Sequence, residues 1–176
     1  MARTWVDDIR TWPAPVPEDE GVSLLAETLK ELTGGRGNIG LPMGPETSLR
    51  MSLNDFERLK DVITPLQFRD ASPIIRALRM VKSELEIDKT RHICQLLSGV
   101  FEDLPHHLSL GMTEIDIFRT FKTRTLAAGA DDIAFLVGGL GEGGPADIIS
   151  PPSDRNSATG DVLILDTGAV FDGYYC

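Results

Sequence analysis

The strongest constraint in this sequence is a hairpin. Asp172-Gly173 stands between Val170-Phe171 and Tyr174-Tyr175. An Asp-Gly pair with apolar and aromatic flanks suits a two-residue turn that needs positive φ at both central positions. Just upstream, Val162-Leu163-Ile164-Leu165 reads as a buried strand ending at Asp166. Ile133–Val137 supplies a further apolar strand, and the glycines at 138–144 read as a flexible loop after it. Two helices precede these strands. Ser83 and Glu86 make a capping box for the first. Its apolar stripe is expected to be Ile87, Ile93, Cys94, Leu97 and Phe101, with Pro105 at its end. Thr113 and Asp116 open the second, which runs through Ile117, Phe118, Phe121 and Leu126 and stops at Gly129. Helices followed by antiparallel strands are an α+β pattern.

Before residue 80 the organisation differs. Trp12-Pro13-Ala14-Pro15-Val16-Pro17 is too proline-rich for helix or central strand and reads as an extended surface arm. Asp19 is placed to cap a helix with Val22, Leu25, Leu29 and Leu32 on one face, stopped by Gly34-Gly35. Asn38–Leu41 is a short strand. Ser52 and Asp55 open a helix through Phe56, Leu59 and Ile63 that ends by Pro65, and Gln67–Asp70 is another strand. Ser72-Pro73 reads as a cap and first-turn proline for a third helix. This alternation is an α/β signature. The sequence therefore predicts two bodies, an α/β body over 1–79 and an α+β body over 80–176.

Charge and composition narrow the function. Twenty-seven acidic residues against 17 basic ones leave a formal charge of -10, which excludes a whole-chain grip on nucleic acid or an anionic membrane surface. No apolar run approaches the roughly 20 residues of a spanning helix. The start, Met-Ala-Arg-Thr-Trp-Val-Asp-Asp, has no apolar signal-peptide core. Cys94 and Cys176 form no CxxC-type pair, so neither a disulfide framework nor structural zinc is expected. Cys94 reads as a small core residue, and a reducing cytoplasm is the expected location.

Most candidate chemistry dissolves on inspection. The 138–144 glycines lack both the G-x-G-x-x-G spacing and the Gly-Lys-Ser/Thr ending that phosphate loops use. His92, His106 and His107 have no metal-ligand spacing and read as surface or helix-end groups. Ser150 and Ser153 flank Pro151-Pro152 outside any nucleophile elbow. Asp166 is different, because a carboxylate after four apolar residues is costly to bury unless paired, hydrogen-bonded or holding a cation. One reading makes it a strand-end aspartate capping the Gly168 backbone. The other makes it a metal ligand, faced across the hairpin by position 177, some 5 Å away between Cβ atoms. Two such carboxylates can bridge divalent ions about 3.5–4 Å apart.

Three stretches carry a resemblance. Leu78-Arg79-Met80-Val81-Lys82-Ser83-Glu84-Leu85-Glu86-Ile87 is similar to the domain junction of the creatinase, prolidase and aminopeptidase P family of pita-bread enzymes. Gly111-Met112-Thr113-Glu114 resembles the turn before that family's second catalytic-domain helix. Gly160–Ala169 followed by Gly173-Tyr174-Tyr175-Cys176 resembles the strand pair that opens its metal site. The resemblance implies the later part of a creatinase-like N-terminal α/β domain over 1–79. Over 80–176 it implies the first part of a pita-bread catalytic domain. It makes Asp166 the first of five metal ligands, with the second falling just after Cys176, and assigns no catalytic residue. It further implies two divalent ions (Mn, Fe, Co or Zn) in the intact protein, none held by this chain alone, and an inactive isolated fragment. The implied parent is a cytoplasmic homodimer acting on a small or dipeptide-like substrate, with no nucleic acid or membrane partner. The family's usual histidine before Pro152-Ser153-Asp154 is replaced by Ile149. That departure keeps two alternatives: a dimethylsulfoniopropionate lyase of the same fold, which the Trp12-Pro-Ala-Pro arm also resembles, and a non-catalytic pita-bread binding module.

Overall fold

The structure, a computed structural model, describes residues 4–176; the first three residues of the N-terminal segment lie outside the described residues. The chain divides into two compact units, one ending at Val81 and the other beginning at Lys82. In the first, α1 (Val22–Thr33), β1 (Asn38–Leu41), α2 (Leu53–Val62), β2 (Gln67–Asp70) and α3 (Ser72–Met80) alternate. The two strands are parallel, with Asn38 opposite Gln67 and Leu41 opposite Asp70. Parallel strands need a crossover, and α2 provides it. Val22 and Ala26 from α1 pack with Leu59, Ile63 and Leu66 to form the core.

Local chemistry sets these boundaries. Ser52 caps α2, its hydroxyl accepting the Asp55 N–H at 3.2 Å. Asp19 accepts the Ser23 N–H at 3.1 Å, although the residue in the cap position of α1 is Gly21. The expected apolar face of α1 is corrected: Ala26 is buried, whereas Leu32 is 71% exposed. Val22, Ala26 and Leu29 form the i, i+4, i+7 row that meets α2 and the sheet, and Leu25 and Leu32 lie outside it. Ser72 also departs from expectation, since it is the first residue of α3 rather than its cap. Its buried hydroxyl instead accepts the N–H groups of Met43 at 2.9 Å and Gly44 at 2.7 Å, holding the loop after β1.

The second unit holds α4 (Glu84–Asp103), a 3-10 turn (Leu104–His107) and α5 (Glu114–Ala127), followed by β3 (Asp132–Glu142), β4 (Asp161–Phe171) and β5 (Tyr174–Tyr175). The strands form an antiparallel sheet in the order β3-β4-β5. Its core joins Ile93, Leu97, Val100 and Leu104 to Phe121 of α5 and Ala169 of β4. The buried stripe of α4 thus follows 93, 97 and 100 and continues to Leu104 in the 3-10 turn. Cys94, expected in the core, is exposed, and Phe101 is 38% exposed. One residue is about 100° of rotation on a helix, enough to carry Cys94 off the stripe that begins at its neighbour. The capping box is complete, with the Ser83 hydroxyl accepting the Glu86 N–H and Glu86 accepting the Ser83 N–H at 2.7 Å. Replacing Ser83 with Ala is expected to cost about 1 kcal/mol. The measurement is a lowered urea midpoint followed by circular dichroism; an unchanged midpoint would show that Glu86 alone suffices.

The expected flexible loop at 138–144 is also corrected. β3 continues through Glu142, and the chain turns only at Gly143-Gly144. A Cβ on Gly138 would sit 2.0 Å from the Ile164 carbonyl oxygen, and one on Gly141 would sit 2.2 Å from that of Gly144. These glycines admit close backbone approach inside a strand.

Candidate functional site

Asp166 lies in the middle of β4, opposite Val137 of β3. Its expected position at a strand end is corrected, because the strand continues to Phe171. Thr167 anchors that continuation, its hydroxyl donating to the Phe135 carbonyl at 2.8 Å. The carboxylate does not cap the Gly168 backbone and has no hydrogen-bond or ion-pair partner among the described residues. Strand alternation explains where it points. Leu165, Ala169 and Phe171 turn toward the helices and join the core. Asp166 shares the opposite face with Val162, Ile164, Gly168 and Val170, and with Phe135 and Val137 of β3. That face is open: Phe135 is 46% and Val162 45% exposed. Asp166 is itself exposed, so in this chain it escapes the desolvation cost anticipated from the apolar run before it.

The hairpin fixes what can face this carboxylate. Asp172 and Gly173 take φ values of 48° and 81°, as a two-residue turn requires. Phe171 pairs with Tyr174 and Val170 with Tyr175, and the Cys176 N–H donates to the Ala169 carbonyl at 3.3 Å. Continued in this register, position 177 falls opposite Gly168 rather than Asp166. On that register such a position would lie diagonal to Asp166 on the same face, about 7–8 Å away, instead of directly across from it. Gly168 admits close approach of these neighbours: a Cβ there would lie 2.8 Å from the Phe135 ring and 3.2 Å from the Cys176 carbonyl oxygen.

A second carboxylate, unassigned by sequence reasoning, organises the rim of this sheet. Glu114 is buried at the start of α5. It accepts the Leu140 N–H at 2.7 Å, the Ser153 N–H at 2.9 Å and the Ser153 hydroxyl at 2.6 Å. Burial works against its charged form. The Ser153 and Leu140 donors and the nearby Arg155 charge outweigh that and hold the carboxyl below the ordinary glutamate range. Carbonyls of Ser153 and Arg155 in turn accept the Ile115 and Glu114 N–H groups at 3.2 and 3.0 Å, satisfying the first turn of α5. The segment bearing Ile149 and Pro152-Ser153-Asp154 is thereby pinned to β3 and α5. Ile149 itself is 76% exposed and offers no polar side-chain atom.

The remaining candidates hold structural positions. Ser150 donates to Asp147 at 2.6 Å. His107 meets Asp103 at 3.0 Å at the end of α4, and the exposed His92 packs its ring 4.5 Å from that of Phe171. No group of three or more His, Cys, Asp or Glu side chains able to hold a metal ion occurs among the described residues. A groove of about 500 Å³ in the first unit is lined by Arg10, Trp12, Leu25 and Leu32. Its one cation is already engaged by Asp8 at 2.9 Å and Glu31 at 2.6 Å, which leaves an apolar surface with no chemistry of its own.

Comparison with known proteins gives this site its context. The profile of metallopeptidase family M24 matches residues 88–176, half of the chain and all three strands of the second unit. The chain belongs to metallopeptidase family M24. Among curated relatives, the "Probable dipeptidase PepE" of Mycobacterium tuberculosis is 35% identical over 106 residues, covering 60% of this chain and 28% of its own length. The structure of dipeptidase PepE from Mycobacterium ulcerans superposes with a TM-score of 0.69 at 26% identity, over 95% of this chain and 42% of that one. A dipeptidase from Pyrococcus horikoshii gives a TM-score of 0.76 at 25% identity, covering 94% of this chain and 44% of that one. An X-Pro aminopeptidase from Thermotoga maritima gives 0.72 at 25% identity, over 88% and 42%. The fold is thus that of the pita-bread M24 enzymes, with both the α/β unit and the α+β unit inside the likeness. This chain spans less than half the length of each of these relatives. Among the described residues no helix is long and apolar enough to cross a membrane.

Proposed function

We propose that these residues form the opening part of a metallopeptidase acting on dipeptide-like, Xaa-Pro-type substrates, and that Asp166 is one ligand of a pair of divalent ions. The observation that carries this reading is the placement of Asp166, an unpartnered carboxylate in the middle of a strand on the open face of an M24 sheet. Bound ions of this kind supply Lewis acidity and lower the pKa of water. What the chain supplies is a fixed oxygen donor on a rigid strand and an apolar wall beside it. Val137, Ile164 and Phe135 share the face of Asp166. An apolar wall without hydrogen-bonding groups suits a prolyl ring, which offers apolar surface and no N–H. The same reading includes the junction of two domains near residue 80 and a homodimeric, cytoplasmic enzyme. Neither the lyase nor the binding-module alternative gains an observation here, because the relatives matched bear peptidase names.

Asp166 fits a metal as a single oxygen donor, and the described residues bring no further ligand cluster to it. Among the described residues no set of side chains is brought together that could carry a metal-assisted step unaided. The 176-residue chain is accordingly expected to bind Mn²⁺ no more tightly than about 1 mM, weaker than oxygen-ligand sites with several donors. It is also expected to leave Xaa-Pro dipeptides intact. Isothermal titration is the check, and sub-micromolar binding of two ions would overturn the single-donor reading.

A further inference from the structure

Neither thiol has a role at Asp166, and the fold brings the two side chains together. Cys94 is exposed on α4, next to the core residue Ile93. Cys176 follows β5; its thiol lies 3.8 Å from the Ala169 carbonyl, and its side chain packs on the cluster that contains Ile93 and Leu97. Those two residues flank Cys94 on the helix. The hairpin is tied to α4 along a line that leads to the same point. The Tyr174 hydroxyl donates to Glu86 at 3.1 Å, Lys89 meets Asp172 at 2.5 Å, and His92 packs on Phe171. Desolvation of the sulfur, and then the Cys176 thiol beside it, hold the Cys94 thiol above its ordinary range, as expected for neighbouring sulfurs.

We propose that Cys94 and Cys176 form a reversible intramolecular disulfide, a redox modification site that fastens α4 to the strand after the hairpin. The oxidant is a small-molecule disulfide such as oxidised glutathione. One protein thiolate attacks it, forming a mixed disulfide and releasing one glutathione thiolate. The second protein thiolate then attacks the protein sulfur of that mixed disulfide, closing the Cys94–Cys176 bond and releasing the second glutathione. Two protein thiols are oxidised and the glutathione disulfide is reduced to two thiols. The exposed Cys94 is the accessible point of first attack, and Cys176 is the resolving group. In a reducing compartment the pair stays open, and it closes when the disulfide pool rises.

The test is intact-mass spectrometry of the native chain after incubation with oxidised glutathione. The expected product is a monomer lighter by two hydrogens, restored by dithiothreitol and formed at least tenfold faster in native buffer than in denaturant. Cys176→Ser should stop at a single glutathione adduct on Cys94, and Cys94→Ser, at an exposed position that leaves the core alone, should form no intramolecular disulfide. Mixed disulfides accumulating on both cysteines of the native wild-type chain would overturn the proposal. So would cross-linked dimers as the only disulfide product, or equal closure rates with and without denaturant. Because the readout is the state of two sulfurs, its failure is independent of the metal reading of Asp166.

Discussion

Replacing Asp166 with Asn is expected to lower hydrolysis of Xaa-Pro dipeptides by about a hundredfold or more, in an M24 chain of the relatives' length carrying these residues. The magnitude has a lower bound in general metal chemistry. Loss of an outer-shell partner typically costs 10–100-fold in metal affinity or activity, and a direct ligand costs at least as much. The substitution keeps the shape of the side chain and removes its charge. Asp166 is exposed and has no partner among the described residues. Stability should therefore change by no more than about 0.5 kcal/mol, as for other surface positions. The two readouts separate the explanations. Lost activity and lost metal stoichiometry at unchanged Tm mark a ligand. Activity retained within a few-fold would remove Asp166 from the site, and a large fall in Tm would make its role structural.

Local signals place caps and turns, whereas the surroundings of Asp166 depend on contacts distant in sequence. Caps and turns act within about four residues, so Ser52, Ser83, Thr113 and Asp172-Gly173 all fall where their chemistry places them. Glycine is ambiguous at that range. Gly138, Gly141 and Gly168 resemble loop or turn residues in sequence, yet each sits inside a strand because another backbone or ring approaches it. That neighbour is distant in sequence, and no local pattern announces it. The same limit moved the end of β4: the apolar run stops at Leu165, but the strand continues through the small residues that the Phe135 ring and Cys176 carbonyl require. Helix faces failed by a single position. Cys94 and Leu32 are as apolar as their neighbours, and only the location of the packed sheet decides which side is covered.

Glu114 illustrates a deeper gap. A glutamate in the first turn of a helix ordinarily complements the helix dipole from the solvent side, and the groups that hold this one are distant in sequence. Its partners are Leu140 and Ser153, separated from it by 26 and 39 positions. The available hint was compositional: Glu114 precedes the buried run Ile117-Phe118 by three and four positions, on the side of the helix that turns inward.

That burial makes Glu114→Gln the substitution expected to destabilise the second unit most specifically. The amide that replaces one carboxylate oxygen is a donor, and it must face the Leu140 N–H or the Ser153 groups, which are donors too. Hydrogen bonds to charged groups are worth about 1.5–3 kcal/mol each and do not add fully, so a loss of about 3 kcal/mol at pH 7 is expected. Urea unfolding measures it, with faster hydrogen exchange at the Leu140 amide as the local reporter. The pH dependence distinguishes charge from shape. The folded-state pKa of Glu114 is depressed, so its contribution is fully present above the ordinary glutamate pKa. It is lost as pH falls through the lower folded value, where the wild-type side chain becomes protonated as well. The stability gap between wild type and Gln should therefore hold at neutral pH and narrow under acid. A gap that stays constant as the pH falls would show that the carboxylate's shape, and not its charge, pins the Ser153 segment to the sheet.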